Sequence, residues 1–149
     1  DDINLGRRDR TLELARQAVG GSLDGKRVAV LGVAFKPNSD DVRDSPSLAI
    51  CDRLTGEGAV VSVHDPVAMP TAARKYPDLR YAPSVFDAAE GADLVLHLTE
   101  WSDYRAIDPA ALGDVVARKV IIDARCCLDM TVWTSAGWTM HVLGRGQGE

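Results

Sequence analysis

Four short runs rich in β-branched residues constrain this chain more than any other feature: RVAVLGV at 27–33, AVVSVH at 59–64, ADLVLHL at 92–98 and VIIDA at 120–124. Each is almost continuously apolar instead of alternating. Such a run makes a strand covered on both faces, as in a parallel sheet. Helical patterns lie between the runs. Ser45-Pro46 opens one of them, with Ser as N-cap and Pro at the first helical position, and Leu48, Ile50, Cys51 and Leu54 form its apolar side. Shorter helices are expected over 70–75, 84–89, 109–117 and 129–136, and WTMHVLG at 138–144 reads as a last strand. The tail GRGQGE is expected to fray. Strands alternating with helices predict right-handed β-α-β units. The expected fold class is therefore α/β, an open parallel sheet with helices on both faces in a Rossmann-like three-layer arrangement.

A basic helix is expected over 4–19, before the first strand, carrying a narrow apolar stripe of Leu5, Leu12, Ala15 and Val19 and ended by Gly20-Gly21. So thin a stripe suggests a connecting element that packs on something outside the chain. The expected division is 1–24 as the end of a connecting helix and 25–149 as one domain.

Composition excludes several classes. Hydrophobic residues make up 46% and charged residues 26%, as in a soluble globular protein. No apolar run approaches the ~18 residues of a membrane span, and the first residues show no signal-peptide core. Seventeen basic against 22 acidic residues, net −5, argue against a nonspecific nucleic-acid binder. A local anion site remains open, since a few N–H groups and one or two cations suffice. Three cysteines without zinc spacing or a C-x-x-C pair suggest reduced thiols, a cytoplasmic location and no metal site, with Cys51 a small buried hydrophobe.

In open parallel sheets ligands bind beyond the carboxyl ends of the strands. Those ends carry Phe35-Lys36, His64-Asp65, Thr99-Glu100-Trp101 and Asp123-Ala124-Arg125. The turn after the first strand, GVAFKPNSDDVRDSP, is neither the G-x-G-x-x-G fingerprint nor a Walker A loop. It offers Lys36 and Arg43, with Asp40 and Asp41 placed to hold either cation. Lysine is a point charge for phosphate and arginine a fork for bidentate contact. A solvated loop with ordinary surface ion pairs is the competing reading. Arg125 raises the same pair of readings. Asp65 holds a ribose or merely initiates a turn with Pro66. Trp101 stacks on a base or packs over the sheet. His64, His97 and His141 fall in apolar strand patterns and read as core residues with satisfied partners.

These segments resemble the UDP-glucose/GDP-mannose dehydrogenase family in its C-terminal domain. The matching blocks are GKRVAVLGVAFKPNSDDVRDSPSLAI (25–50), GAVVSVHDP (58–66), ADLVLHLTEW (92–101) and VIIDARCCLD (120–129), and INLGRRDRTLELARQAVGG (3–21) looks like the end of the long central helix before that domain. The resemblance implies an enzyme that oxidises the C6 hydroxyl of a nucleotide-bound hexose such as UDP-glucose to a carboxylate, using two NAD. It implies NAD held by an N-terminal domain outside these residues, and a cysteine before the central helix that forms the thiohemiacetal and thioester. It implies a UDP-sugar as substrate, and a homodimer or larger assembly. By resemblance Phe35, Lys36 and Arg125 contact substrate, and Arg43 reaches across the interdomain cleft to NAD. Cys51, Cys126 and Cys127 do not match the nucleophile's segment, so no catalytic residue is expected here and the isolated chain should not turn over substrate. The family usually has D-G-R-N where this chain has Asp123-Ala124-Arg125-Cys126, and alanine restricts positive-φ geometry. A standalone nucleotide-binding or interaction module is the alternative. A flavodoxin-like signalling domain is disfavoured, because the first strand ends in Ala34-Phe35-Lys36 instead of an acidic cluster.

Overall fold

The computed structural model describes residues 2–143, and side chains from residue 6 onward. Six strands form one sheet, all parallel: β1 Arg27–Leu31, β2 Val60–His64, β3 Arg80–Tyr81, β4 Leu94–His97, β5 Val120–Asp123 and β6 Thr139–Val142. Their order is β3-β2-β1-β4-β5-β6. The order runs outward in both directions from the central pair β1 and β4. Right-handed connections then place the helices that join β1, β2 and β3 on one face, and those that join β4, β5 and β6 on the other. Strands β4 and β5 are buried at every position, as near-continuous apolar runs require.

The helices are α1 Asp2–Ala18, α2 Pro46–Gly56, α3 Met69–Lys75, α4 Val85–Ala89, α5 Ser102–Arg105, α6 Pro109–Gly113 and α7 Met130–Ser135. Ser45 caps α2 as expected. Its hydroxyl accepts from Leu48 N at 3.2 Å and donates to Val33 O at 2.8 Å, tying the helix start to the end of β1. Strand and helix ends coincide with the expected ones or fall within four residues of them, most of them inside, with α1 and α3 starting two residues and one residue earlier than expected. The two-residue strand β3 and the single-turn α5 were not expected, since neither is long enough to show a period. The tail Gly144–Glu149 lies outside the described residues.

Helix α1 corrects an expectation. It does not wait for a partner outside the chain: Leu12 and Ala15 are fully buried in the domain's own core. The helix packs on α2 and β5. Arg16 adds a bidentate pair with Glu57 past the end of α2, at 2.8 and 2.6 Å. Two fully buried apolar side chains, Val19 just past the helix end and one ion pair suffice to dock it. Leu5, the fourth residue of the expected stripe, lies outside the described side chains.

In-register pairing sets His64, Leu31, His97 and Asp123 side by side at the carboxyl rim of β2, β1, β4 and β5. The strand-end residues singled out from sequence follow directly beyond that row.

Candidate functional site

The central crevice of the rim, between β1 and β4, is closed by protein. Gly32 turns the chain with φ of 100°, and a Cβ there would lie 2.5 Å from the Cβ of Thr99. Only glycine fits so close a crossing. Thr99 is buried and its hydroxyl donates to Ala34 O at 2.9 Å. A dinucleotide pyrophosphate needs this space and a short glycine turn. Here Thr99 fills that space and the turn after β1 is long and carries a single glycine.

Asp65 is fully buried and accepts five hydrogen bonds. Oδ2 takes Val33 N at 2.9 Å, Ala34 N at 3.0 Å and the Trp101 indole at 3.2 Å. Oδ1 takes Val67 N at 3.0 Å and Ala68 N at 2.8 Å. Both oxygens are spent, so the ribose reading fails. The turn reading holds, and the same carboxylate also staples the end of β1. Trp101 packs instead of stacking, at 4% exposure.

Asp123 repeats the device at the end of β5. Its Oδ1 accepts from Arg125 N and Cys126 N, each at 3.0 Å, and its Oδ2 from Cys127 N at 3.0 Å and Leu128 N at 2.8 Å. His97 Nδ1 lies 2.9 Å from Oδ1. Burial pushes this carboxyl up, but the His97 and backbone hydrogen bonds outweigh it and hold it below the usual carboxylate range. The loop that carries Arg125 is thus wrapped round a buried anion. The residue forced into left-handed backbone is Cys126, at φ 60°, and not Ala124. Alanine in place of the family's glycine therefore meets no restriction here.

Donor atoms of His97, Asp123 and Cys127 lie within 4.8 Å of one another, residues that sequence spacing had kept apart. They do not make a convincing metal centre, because both Asp123 oxygens are already taken by N–H donors. His97 Nε2 is buried without a hydrogen-bond partner among the described residues. This corrects the expectation of satisfied core histidines, which His64 does meet through the Tyr104 hydroxyl at 3.0 Å. His141 is only half-buried. Cys51 is fully buried, and desolvation pushes its thiol up to about 12, as for an inert core residue.

The remaining cations stand on the rim. Arg125 and Phe35 line one cleft of about 70 Å³, together with Ser47 at the start of α2 and Arg7 and Arg8 of α1. Phe35 is half exposed, at 51%. Ser47 stands in the first turn of α2, where Pro46 has no N–H and Leu48 N is taken by Ser45. Arg7 and Arg8 were missed from sequence. The basic character of α1 was the signal, but only its docking on α2 brings the two arginines to the rim. Arg125 is held by Glu100, with Nε to Oε1 at 2.8 Å and Nη2 to Oε2 at 3.2 Å.

Lys36 and Arg43 do not line this cleft. Lys36 is exposed on the turn that follows Phe35. Arg43 is 88% exposed and clasped by Asp41, whose Oδ1 accepts from Nε at 3.1 Å and whose Oδ2 accepts from Nη2 at 3.0 Å. The Arg43 hydrogen bonds, with a smaller contribution from Lys36, lower the Asp41 carboxyl to about 2. Asp41 therefore plays the holding role expected of it. Asp40 instead meets the Thr71 hydroxyl at 3.5 Å. The turn is ordered internally, with Phe35 N donating to Asp41 O at 2.7 Å and with Asn38 and Asp44 in left-handed backbone, which those residue types tolerate.

An all-parallel sheet in this strand order, with cations and a helix N-terminus gathered at its carboxyl rim, defines a nucleotide-binding α/β domain. Residues 29–130 match the UDP binding domain of the UDP-glucose/GDP-mannose dehydrogenase family, and the chain belongs to that family. UDP-glucose 6-dehydrogenase AglM of Haloferax volcanii is 41% identical over 124 residues, which are 83% of this chain and 28% of that protein. UDP-glucose 6-dehydrogenase YwqF of Bacillus subtilis is 33% identical over 96% of this chain and 32% of its own length. Among solved structures, NDP-N-acetyl-D-galactosaminuronic acid dehydrogenase of Methanosarcina mazei Go1 superposes with a TM-score of 0.79 at 29% identity, over 96% of this chain and 29% of that one. A UDP-glucose dehydrogenase of Pyrobaculum islandicum gives 0.76 at 28% identity, over 93% of this chain and 31% of that one. The chain thus spans about a third of the length of these relatives. No described helix is long and apolar enough to cross a membrane.

Proposed function

We propose that this chain holds the nucleotide part of a UDP-sugar in an NAD-dependent dehydrogenase that oxidises the C6 hydroxyl of UDP-glucose to the carboxylate of UDP-glucuronate. The observation that carries this is the shared cleft of Phe35 and Arg125, with Arg7, Arg8 and the α2 N-terminus around it. Arg125 and the α1 arginines suit the diphosphate as charge-assisted donors. Phe35 offers an apolar face beside them. Lys36, one residue on, supplies a further ammonium to phosphate or sugar hydroxyls. The cleft's about 70 Å³ is well short of the roughly 300 Å³ at which ligand pockets begin. This supports a half-site, completed by another domain of the same protein.

NAD, when bound, would supply the hydride acceptor for both oxidations, with water as the source of the second carboxylate oxygen. The filled crevice at Gly32 and Thr99 supports a reading in which the dinucleotide is held by an NAD-binding domain of the same protein outside these residues. Arg43, exposed and held ready by Asp41, is the contribution from here. None of the three cysteines is read as the nucleophile: Cys51 is buried with its thiol pushed up, burial raises the thiol of Cys127, and the Cys126 thiol donates to Leu143 O at 2.9 Å. Its part in catalysis is remote binding energy that orients the hexose at the reacting carbon. A cytoplasmic homodimer or larger assembly completes this reading.

The test is calorimetric titration of UDP and UDP-glucose into the full-length protein carrying Arg125→Ala or Lys36→Glu. Loss of one charge-assisted phosphate contact is expected to weaken binding about 10- to 100-fold with an unchanged melting temperature. Unaltered saturation by both ligands in both variants would overturn the assignment.

A further inference from the structure

We propose that Glu100 is a positioning residue that aims Arg125 at the diphosphate, an inference resting on the UDP-sugar assignment above. A guanidinium has two hydrogen-bonding edges. Glu100 occupies the side edge, formed by Nε and Nη2. Among the described residues nothing bonds the end edge, which includes Nη1 and can take an anionic ligand. A carboxylate on the end edge would compete with phosphate, whereas one on the side edge fixes the plane of the fork and leaves its tips free.

The backbones on both sides are anchored, which turns the pair into a bracket. Glu100 is the outward-turned residue between buried Thr99 and Trp101, whose side chains bond Ala34 O and the Asp65 carboxylate. Arg125 N is one of the four amides wrapped round Asp123. The side chains are only partly exposed, at 39% for Arg125 and 32% for Glu100. Their contact joins the residues after β4 to those after β5, beside the cleft that Arg125 lines. An exposed ion pair contributes little to stability, so a pair held this rigidly beside a cleft is better explained by what it orients.

The experiment compares Glu100→Gln with wild type in the full-length enzyme, measuring UDP affinity, KM and kcat for UDP-glucose. Glutamine keeps the shape and one acceptor but cannot accept at both donors. KM and the Kd for UDP are expected to rise about 3- to 10-fold with kcat within a factor of about two, since only ground-state grip is loosened. In an Arg125→Ala background the same change is expected to have no further effect, because the residue it aims is gone. Unchanged or tighter UDP binding in Glu100→Gln, or an equal loss in the Arg125→Ala background, would overturn the positioning role. If Arg125→Ala itself leaves UDP binding untouched, the UDP-sugar assignment fails instead, so the two failures are distinguishable.

Discussion

Replacing Asp123 by Asn removes the charge at the centre of the β5 turn and keeps its size. With its one remaining oxygen placed at Oδ1, the amide loses the bonds from Cys127 N and Leu128 N and turns N–H groups against them. In the flipped orientation it loses three: Arg125 N, Cys126 N and His97. Hydrogen bonds to a charged acceptor are worth about 1.5–3 kcal/mol each, so the smaller loss of two predicts destabilisation of at least about 3 kcal/mol. Urea unfolding of the chain measures it. Acidity supplies an independent arm. The folded carboxyl sits below its unfolded value, so its contribution is fully present at neutral pH. It drains away as pH falls from the ordinary carboxylate value, about 4, down through the folded one. The gap between wild type and Asp123→Asn should therefore narrow as the pH is taken from 7 toward about 3. A loss below about 0.5 kcal/mol, the scale of an ordinary surface substitution, refutes the anchoring role. A gap that stays constant with pH refutes the electrostatic account of it.

Two further outcomes follow from packing. Leu12→Ala empties a fully buried site beneath α1 and should cost about 2–4 kcal/mol in urea unfolding; a negligible loss would return α1 to the role of a loosely attached connector. Gly32→Ala places a Cβ against Thr99 and demands a left-handed alanine. It should cost about 3 kcal/mol or more, read as a fall in melting temperature, and wild-type stability would disprove the close crossing.

The sheet was legible because burial on both faces leaves a mark in sequence. Runs such as ADLVLHL and VIIDA cannot alternate when helices cover both sides, and each of them contains a strand of the sheet. Strand β3, Arg80–Tyr81, left no such mark, since two residues at an edge need no apolar run. Periodicity also misjudged α1. It counts apolar residues on a helix, not where the helix lies, and Leu12 and Ala15 reach the core because α1 crosses α2 and β5.

The candidate site divides along the same line. Strand ends and their cations could be read off directly, because in a parallel sheet the residues after each strand share one rim. Contacts between loops could not. That Asp65 is spent on five donors, that Thr99 fills the crevice beside Gly32, and that Arg7 and Arg8 join Arg125 all depend on residues far apart in the chain. The filled crevice and the open cleft are one structural fact seen twice. In a dinucleotide domain the glycine turn leaves the centre of the rim empty and the phosphates occupy it. Here the longer turn carries Phe35, Lys36 and Arg43 outward, while Thr99 and Trp101 close the centre beneath it. A strand order shared with dinucleotide folds then carries its cations on the turns around a closed centre, which is why the UDP-sugar reading rests on the cleft of Phe35 and Arg125 and not on the crevice between β1 and β4.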